Sequence, residues 1–107
     1  MRRVCSVDEL PTGSMRRFDV NGRALLLVHT DSGMYAMDGL CSHMRGDLSK
    51  GTLEGSVVTC PRHGSKYDVR NGEVVKNLGW PLLGKAKPLR TFGTRVEGGY
   101  VMIDDGT

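Results

Sequence analysis

Two short runs gather the residues of this chain that can bind a soft metal. The first is Cys41-Ser42-His43; sixteen residues later comes Cys60-Pro61-Arg62-His63. After Cys5, only His29 among the cysteines and histidines falls outside these runs. Two thiolates and two imidazoles can close tetrahedrally on one zinc ion. The spacing argues against that use. Structural zinc sites commonly leave about two to four residues between paired ligands, whereas Cys41 and His43 have only Ser42 between them. In extended backbone the outer side chains of such a tripeptide share a face about 6–7 Å apart. That separation suits two metal atoms better than one.

A binuclear iron–sulfur cluster meets this requirement: one iron takes both thiolates, the other takes both imidazoles, and inorganic sulfides bridge them. The residues resemble those of the Rieske family. Cys41-Ser42-His43 is similar to its first cluster-binding loop, and Cys60-Pro61-Arg62-His63-Gly64-Ser65 to its second. The resemblance implies one 2Fe-2S cluster, with Cys41 and Cys60 on one iron and His43 and His63 on the other, near the surface. The oxidised site then carries no net charge, and reduction adds a single negative charge. An all-thiolate cluster is already negative, so an added electron costs more there. Histidine ligation therefore raises the potential, within a family span of about −150 to +300 mV.

Ser65 and Tyr67 follow His63 by two and four residues. In respiratory members of the family a serine and a tyrosine at these places hydrogen-bond to a sulfide and to a ligand sulfur. Such bonds strengthen as sulfur gains charge, so they favour reduction. Without that role Ser65 caps the turn and Tyr67 is a half-buried strand residue. The respiratory proteins also tie their two loops with a disulfide; the corresponding positions here are Gly46 and Arg62. The expected potential is intermediate. Leu78 to Gly84, with Trp80 and Pro81, resembles the family's proline-containing loop that covers the cluster. Trp80 is alternatively core or a docking residue, and Met44 either docks or packs within its loop.

The elements that must position these loops are short and β-rich. Strands are expected at Arg3–Ser6, Met15–Val20, Ala24–Thr30, Met34–Asp38, Thr52–Leu53, Ser56–Thr59, Lys66–Val69, Glu73–Val75, Leu89–Val96 and Tyr100–Ile103. Between them lie Pro11-Thr12-Gly13, Asn21-Gly22, Asp31-Ser32-Gly33, Gly55, Arg70-Asn71-Gly72 and Glu97-Gly98-Gly99. Asn21-Gly22 is a strong hairpin signal, since both residues tolerate positive φ. Asp8–Leu10 has room for one helical turn. The pattern predicts an all-β fold, an antiparallel sandwich or barrel. The family resemblance implies a Rieske-like sandwich with a small cluster-binding subdomain of two ligand loops and a cover loop. A single domain over residues 1–107 is expected, with the cluster-binding part at about 39–84. Cys5 and His29 fit structural places in their strands.

Composition sets outer limits. At 107 residues the chain has one modest core. Its net charge of +3 is too small for a nucleic-acid binder, and all of the excess falls after residue 40. Lys76, Lys85, Lys87, Arg90 and Arg95, with Arg45, Arg62 and Lys66, suggest a positive ring at the cluster end for an acidic redox partner. A solvated edge strand, where lysines block aggregation, explains the same charges. No apolar run approaches the ~20 residues of a membrane span. Arg2 and Arg3 are followed by Asp8 and Glu9 where a signal peptide is apolar. These features point to a cytoplasmic monomer.

The leading functional reading is a soluble one-electron carrier between a reductase and an oxygenase or other terminal oxidoreductase, and not itself an enzyme. With only His29 remaining, no second histidine is available for a mononuclear iron centre. The alternatives are a small subunit of a larger reductase or oxidase, such as a nitrite reductase, and a zinc-stabilised module without redox activity.

Overall fold

The structure, a computed structural model, describes residues 1–42, 45–62, 64–76 and 86–104. Eleven strands are present among them: β1 Arg2–Ser6, β2 Ser14–Val20, β3 Arg23–Thr30, β4 Gly33–Asp38, β5 Thr52–Glu54, β6 Val57–Thr59, β7 Lys66–Asp68, β8 Val74–Lys76, β9 Thr91–Phe92, β10 Thr94–Glu97 and β11 Tyr100–Ile103. All pairings are antiparallel and fall into three sheets, ordered β1-β11-β10, β2-β3-β4-β9 and β5-β6-β7-β8. Among the described residues no helix is long and apolar enough to cross a membrane.

The architecture turns on β3. Its run Leu25-Leu26-Leu27-Val28 has no polar face, and each of the four side chains is at most 1% exposed. Strand residues alternate sides, so one run serves two cores. Leu25 and Leu27 pack with Cys5, Leu10, Ala36, Val101 and Ile103, toward the β1-β11-β10 sheet. Leu26 and Val28 pack with Met37, Leu48, Val58, Tyr67 and both ligand-loop cysteines, Cys41 and Cys60. The β2-β3-β4-β9 sheet is therefore a middle layer, and the candidate ligands grow out of the core on one side of it. Each buried leucine or valine contributes about 1.5–3 kcal/mol to this frame.

The β2–β3 hairpin has the expected turn, with Asn21 and Gly22 at φ 51° and 78°. The helical turn expected at Asp8–Leu10 is a 3₁₀ turn at Val7–Glu9, capped by Ser6 and Glu9. The expected strand Leu89–Val96 divides in two. β9 pairs with β4, while β10 pairs with β11, so the chain changes sheets at Gly93. A corner of this kind leaves the β-rich composition unchanged and is invisible to it. Cys5 is buried in the β1-side core, where burial pushes its thiol pKa up. His29 shares a 2.7 Å hydrogen bond between Nδ1 and the Leu10 carbonyl oxygen. Both residues take the structural places expected for them.

The β7–β8 turn is held by Asp68. Its carboxylate accepts bonds from Arg70 Nε and Nη2 at 3.0 and 2.8 Å, and from the Arg70 amide at 2.9 Å. The Arg70 guanidinium holds the carboxyl below its ordinary value, against the opposing effect of burial. A depressed folded pKa stabilises the fold above the unfolded value, and that contribution disappears as pH falls through the folded one. Asp68→Asn should therefore cost about 1–2 kcal/mol at neutral pH. The deficit relative to wild type should shrink below about pH 4. Denaturant unfolding across a pH series checks this, and a deficit that does not vary with pH contradicts it.

Candidate metal centre

Each candidate cysteine opens a six-residue loop, and the two loops share one backbone scheme. Residues 41–46 follow β4 and are pinched at their base by an antiparallel bridge between Leu40 and Asp47. Residues 60–65 form the β6–β7 hairpin loop, closed by the Thr59–Lys66 pair. In the first, the Cys41 amide donates to the Gly46 carbonyl at 2.8 Å and the Arg45 amide to the Cys41 carbonyl at 2.8 Å. In the second, the Cys60 amide donates to the Ser65 carbonyl at 2.8 Å and the Gly64 amide to the Cys60 carbonyl at 3.1 Å. The fifth residue of each loop has positive φ: Arg45 at 54° and Gly64 at 74°. His43 and His63 are the third and fourth residues of their loops. They lie outside the described residues, as do Met44, Trp80 and Pro81.

The base of the first loop is braced from the middle sheet. Arg17 on β2 reaches Asp47 Oδ2 with Nη1 at 3.1 Å, and Asp47 also accepts from the Ser49 amide and hydroxyl at 3.0 and 2.6 Å. Burial pushes the Asp47 carboxyl up, but the bonds from Ser49 and Arg17 outweigh it and hold the group below its ordinary value.

The strand that follows the second loop and the end of the first loop each reach the opposite loop's thiol. Tyr67, fully buried on β7, places its hydroxyl 3.0 Å from Cys41 Sγ. Gly46, the last residue of the first loop, lies against the second: a Cβ added there would stand 2.9 Å from Cys60 Sγ and 3.2 Å from Arg62 Cγ. Positions 46 and 62 are thus neighbours across the two loops, although neither is cysteine. No disulfide links Cys5, Cys41 and Cys60. Both loop cysteines are 1% exposed.

Ser65 is the most informative side chain. It is fully buried, and its Oγ is the one buried side-chain polar atom among the described residues without a hydrogen-bond partner. A buried hydroxyl normally has one. A cluster held by Cys41 and Cys60 would bring sulfide acceptors of the kind this buried hydroxyl lacks, so the residues fit an iron–sulfur cluster. Tyr67 is equally suited. Burial first, and the Cys41 contact second, push its pKa above that of an ordinary phenol, so the hydroxyl keeps its proton for donation.

Sequence reasoning assigned no role to Ser42. Its Oγ donates to the Lys87 carbonyl at 2.7 Å, accepts from the Lys87 amide at 2.8 Å, and lies 3.2 Å from the Tyr67 hydroxyl. Of the residues expected in the positive ring, one is neutralised by a carboxylate and two contact neutral groups. Arg95 pairs with Glu97 on β10, away from the loops, Arg90 stacks on Phe92, and Lys66 Nζ bonds to Thr59. Lys85 lies outside the described residues. Arg45, Arg62, Lys76 and Lys87 are exposed and belong to none of the ion pairs among the described residues. Arg45 and Lys87 line a cleft of about 710 Å³ beside Cys41.

A family model described as "Rieske [2Fe-2S] domain" matches residues 1–90. The ferredoxin component of biphenyl 2,3-dioxygenase from Rhodococcus jostii (strain RHA1) is 34% identical over 97% of this chain and 92% of its own. The ferredoxin of Sphingomonas yanoikuyae B1 superposes with a TM-score of 0.83 at 26% identity, covering 96% of both chains. A chain in the complex of reduced oxygenase and oxidized ferredoxin in carbazole 1,9a-dioxygenase superposes with a TM-score of 0.82. It is 29% identical, over 94% of this chain and 98% of that one.

Proposed function

The chain belongs to the Rieske [2Fe-2S] domain family, and from that premise we propose that it is a soluble, cytoplasmic, monomeric carrier of single electrons from a reductase to a terminal oxygenase. The family's 2Fe-2S cluster supplies reversible one-electron chemistry. Cys41 and Cys60 hold one iron, and His43 and His63 hold the other. The domain spans residues 1–107, with its cluster-binding part at about 39–84. The delivery of electrons to an oxygenase is supported by the relatives that are ferredoxin components of dioxygenases and by the carbazole dioxygenase complex.

The buried Ser65 hydroxyl carries this reading. A bond from Ser65 to a cluster sulfide would strengthen as that sulfide gains charge, as would the bond from Tyr67, whose hydroxyl lies 3.0 Å from Cys41 Sγ. They therefore favour the reduced state. The potential should lie below that of the respiratory proteins, because Gly46 and Arg62 take the places of their loop-tying disulfide, and above that of the lowest ferredoxins. Ser65→Ala and Tyr67→Phe should each lower it by about 40–45 mV for each ~1 kcal/mol of differential bonding lost. Protein-film voltammetry reads this directly, and an unchanged potential in both variants refutes it.

Arg45, Arg62 and Lys87 give the loop end unbalanced positive charge, which suits an acidic partner surface. Long-range attraction between exposed charges is screened over about 10 Å at 0.1 M salt. Electron delivery to the oxygenase, followed by stopped flow, should slow as ionic strength rises and slow further for Arg62→Glu. Rates insensitive to both would contradict steering.

A further inference from the structure

The contacts of Ser42 leave little freedom in how its proton is used. A serine hydroxyl has one hydrogen to donate and two lone pairs to accept with. The Lys87 carbonyl only accepts, so the 2.7 Å bond to it takes the Ser42 hydrogen. The Lys87 amide donates to the same oxygen at 2.8 Å and takes one lone pair. What remains is a single lone pair, and the Tyr67 hydroxyl lies 3.2 Å away. In that contact Tyr67 must be the donor. Cys41 Sγ, 3.0 Å from the same hydroxyl, has no hydrogen to give when it is a metal-bound thiolate. One phenolic proton therefore faces two acceptors.

We infer that Ser42 is a positioning residue that sets how much of the Tyr67 proton reaches Cys41 Sγ, its own hydroxyl being locked in place by the main chain of Lys87. This rests on the reading of Cys41 as a cluster ligand. Ser42 is neither a ligand nor a donor to sulfur; it competes with the sulfur. Its influence is greatest when the sulfur is least charged. On reduction the sulfur becomes the better acceptor and draws the proton from Ser42. The Lys87 backbone, 45 residues further along the chain, is thereby coupled to the sulfur through two side chains.

The consequence has an unusual sign. Removing a hydroxyl that donates to sulfur weakens bonding around a cluster and lowers its potential, the effect predicted above for Ser65→Ala and Tyr67→Phe. Ser42→Ala instead leaves the sulfur as the sole acceptor of the Tyr67 proton, so the potential should rise. In a Tyr67→Phe background there is no proton to redirect, and Ser42→Ala should shift nothing. Ser42→Thr, which keeps the hydroxyl, should stay near wild type. If Ser42 served only to clamp the Lys87 segment, its removal would shift the potential equally in both backgrounds.

Voltammetry of the holoprotein in the wild-type, Ser42→Ala, Tyr67→Phe and double-variant forms decides between these. A positive shift that vanishes in the Tyr67→Phe background supports the inference. A negative shift, no shift, or an equal shift in both backgrounds overturns it. Oxidised-minus-reduced infrared spectra of tyrosine-labelled wild-type protein add a readout that needs no substitution. The Tyr67 C–O band should move on reduction, and a stationary band overturns the inference. Iron and sulfide analysis separates the two levels of the account. A protein without cluster overturns the ligand reading and this inference together, whereas a loaded protein with no Ser42→Ala shift overturns the inference alone.

Discussion

Tyr67 reaches from the strand behind the second loop to Cys41 Sγ in the first, and the end of the first loop, at Gly46, abuts Cys60 Sγ in the second. This reciprocal contact fixes two buried thiols relative to one another, and the rest of the molecule makes it possible. Neither loop can hold such an arrangement alone. Each is six residues long and, among the described residues, is stabilised internally by two backbone hydrogen bonds and has one residue at positive φ. A metal site needs tighter placement than that, and the tightness comes from the core into which both cysteines are built.

The core is shared through β3. Because its leucines fill both sides of the middle sheet, displacing that strand disturbs the ligand side and the β1-β11-β10 side together. The Arg17–Asp47 pair extends the frame outward, from the edge strand β2 to the base of the first loop. The pair is partly exposed, so its energetic contribution is small. Its geometric effect is to anchor the loop base at the sheet.

Much of this was legible in the sequence, for identifiable reasons. Asn21-Gly22 announced its hairpin because few residue pairs accept two positive φ values. The ligand motifs stood out because cysteine and histidine are otherwise nearly absent from the chain. Ser65 and Tyr67 stood out through their offsets from His63; in the fold both are buried, and the Tyr67 hydroxyl lies 3.0 Å from Cys41 Sγ. Other features left no mark. The sheet change at Gly93 alters pairing partners without altering composition. Arg45 at positive φ carries no glycine signal, which concealed the likeness between the two loops. Ser42 acts through the backbone of Lys87, and a backbone partner leaves no trace in residue identity. The charge pattern could not show that Arg95 pairs with Glu97 on β10, because an ion pair formed in the fold is not visible in one-dimensional clustering.

The central claim is that the ligands divide by type, with the two histidines on one iron. Pulsed electron paramagnetic resonance of the reduced protein, grown with nitrogen-15 histidine, tests it most directly. The account predicts couplings from two histidine nitrogens. One should be lost on replacing His43 and the other on replacing His63, while both persist when His29 is replaced. A reduced cluster without histidine coupling, or a colourless protein holding zinc, would contradict it.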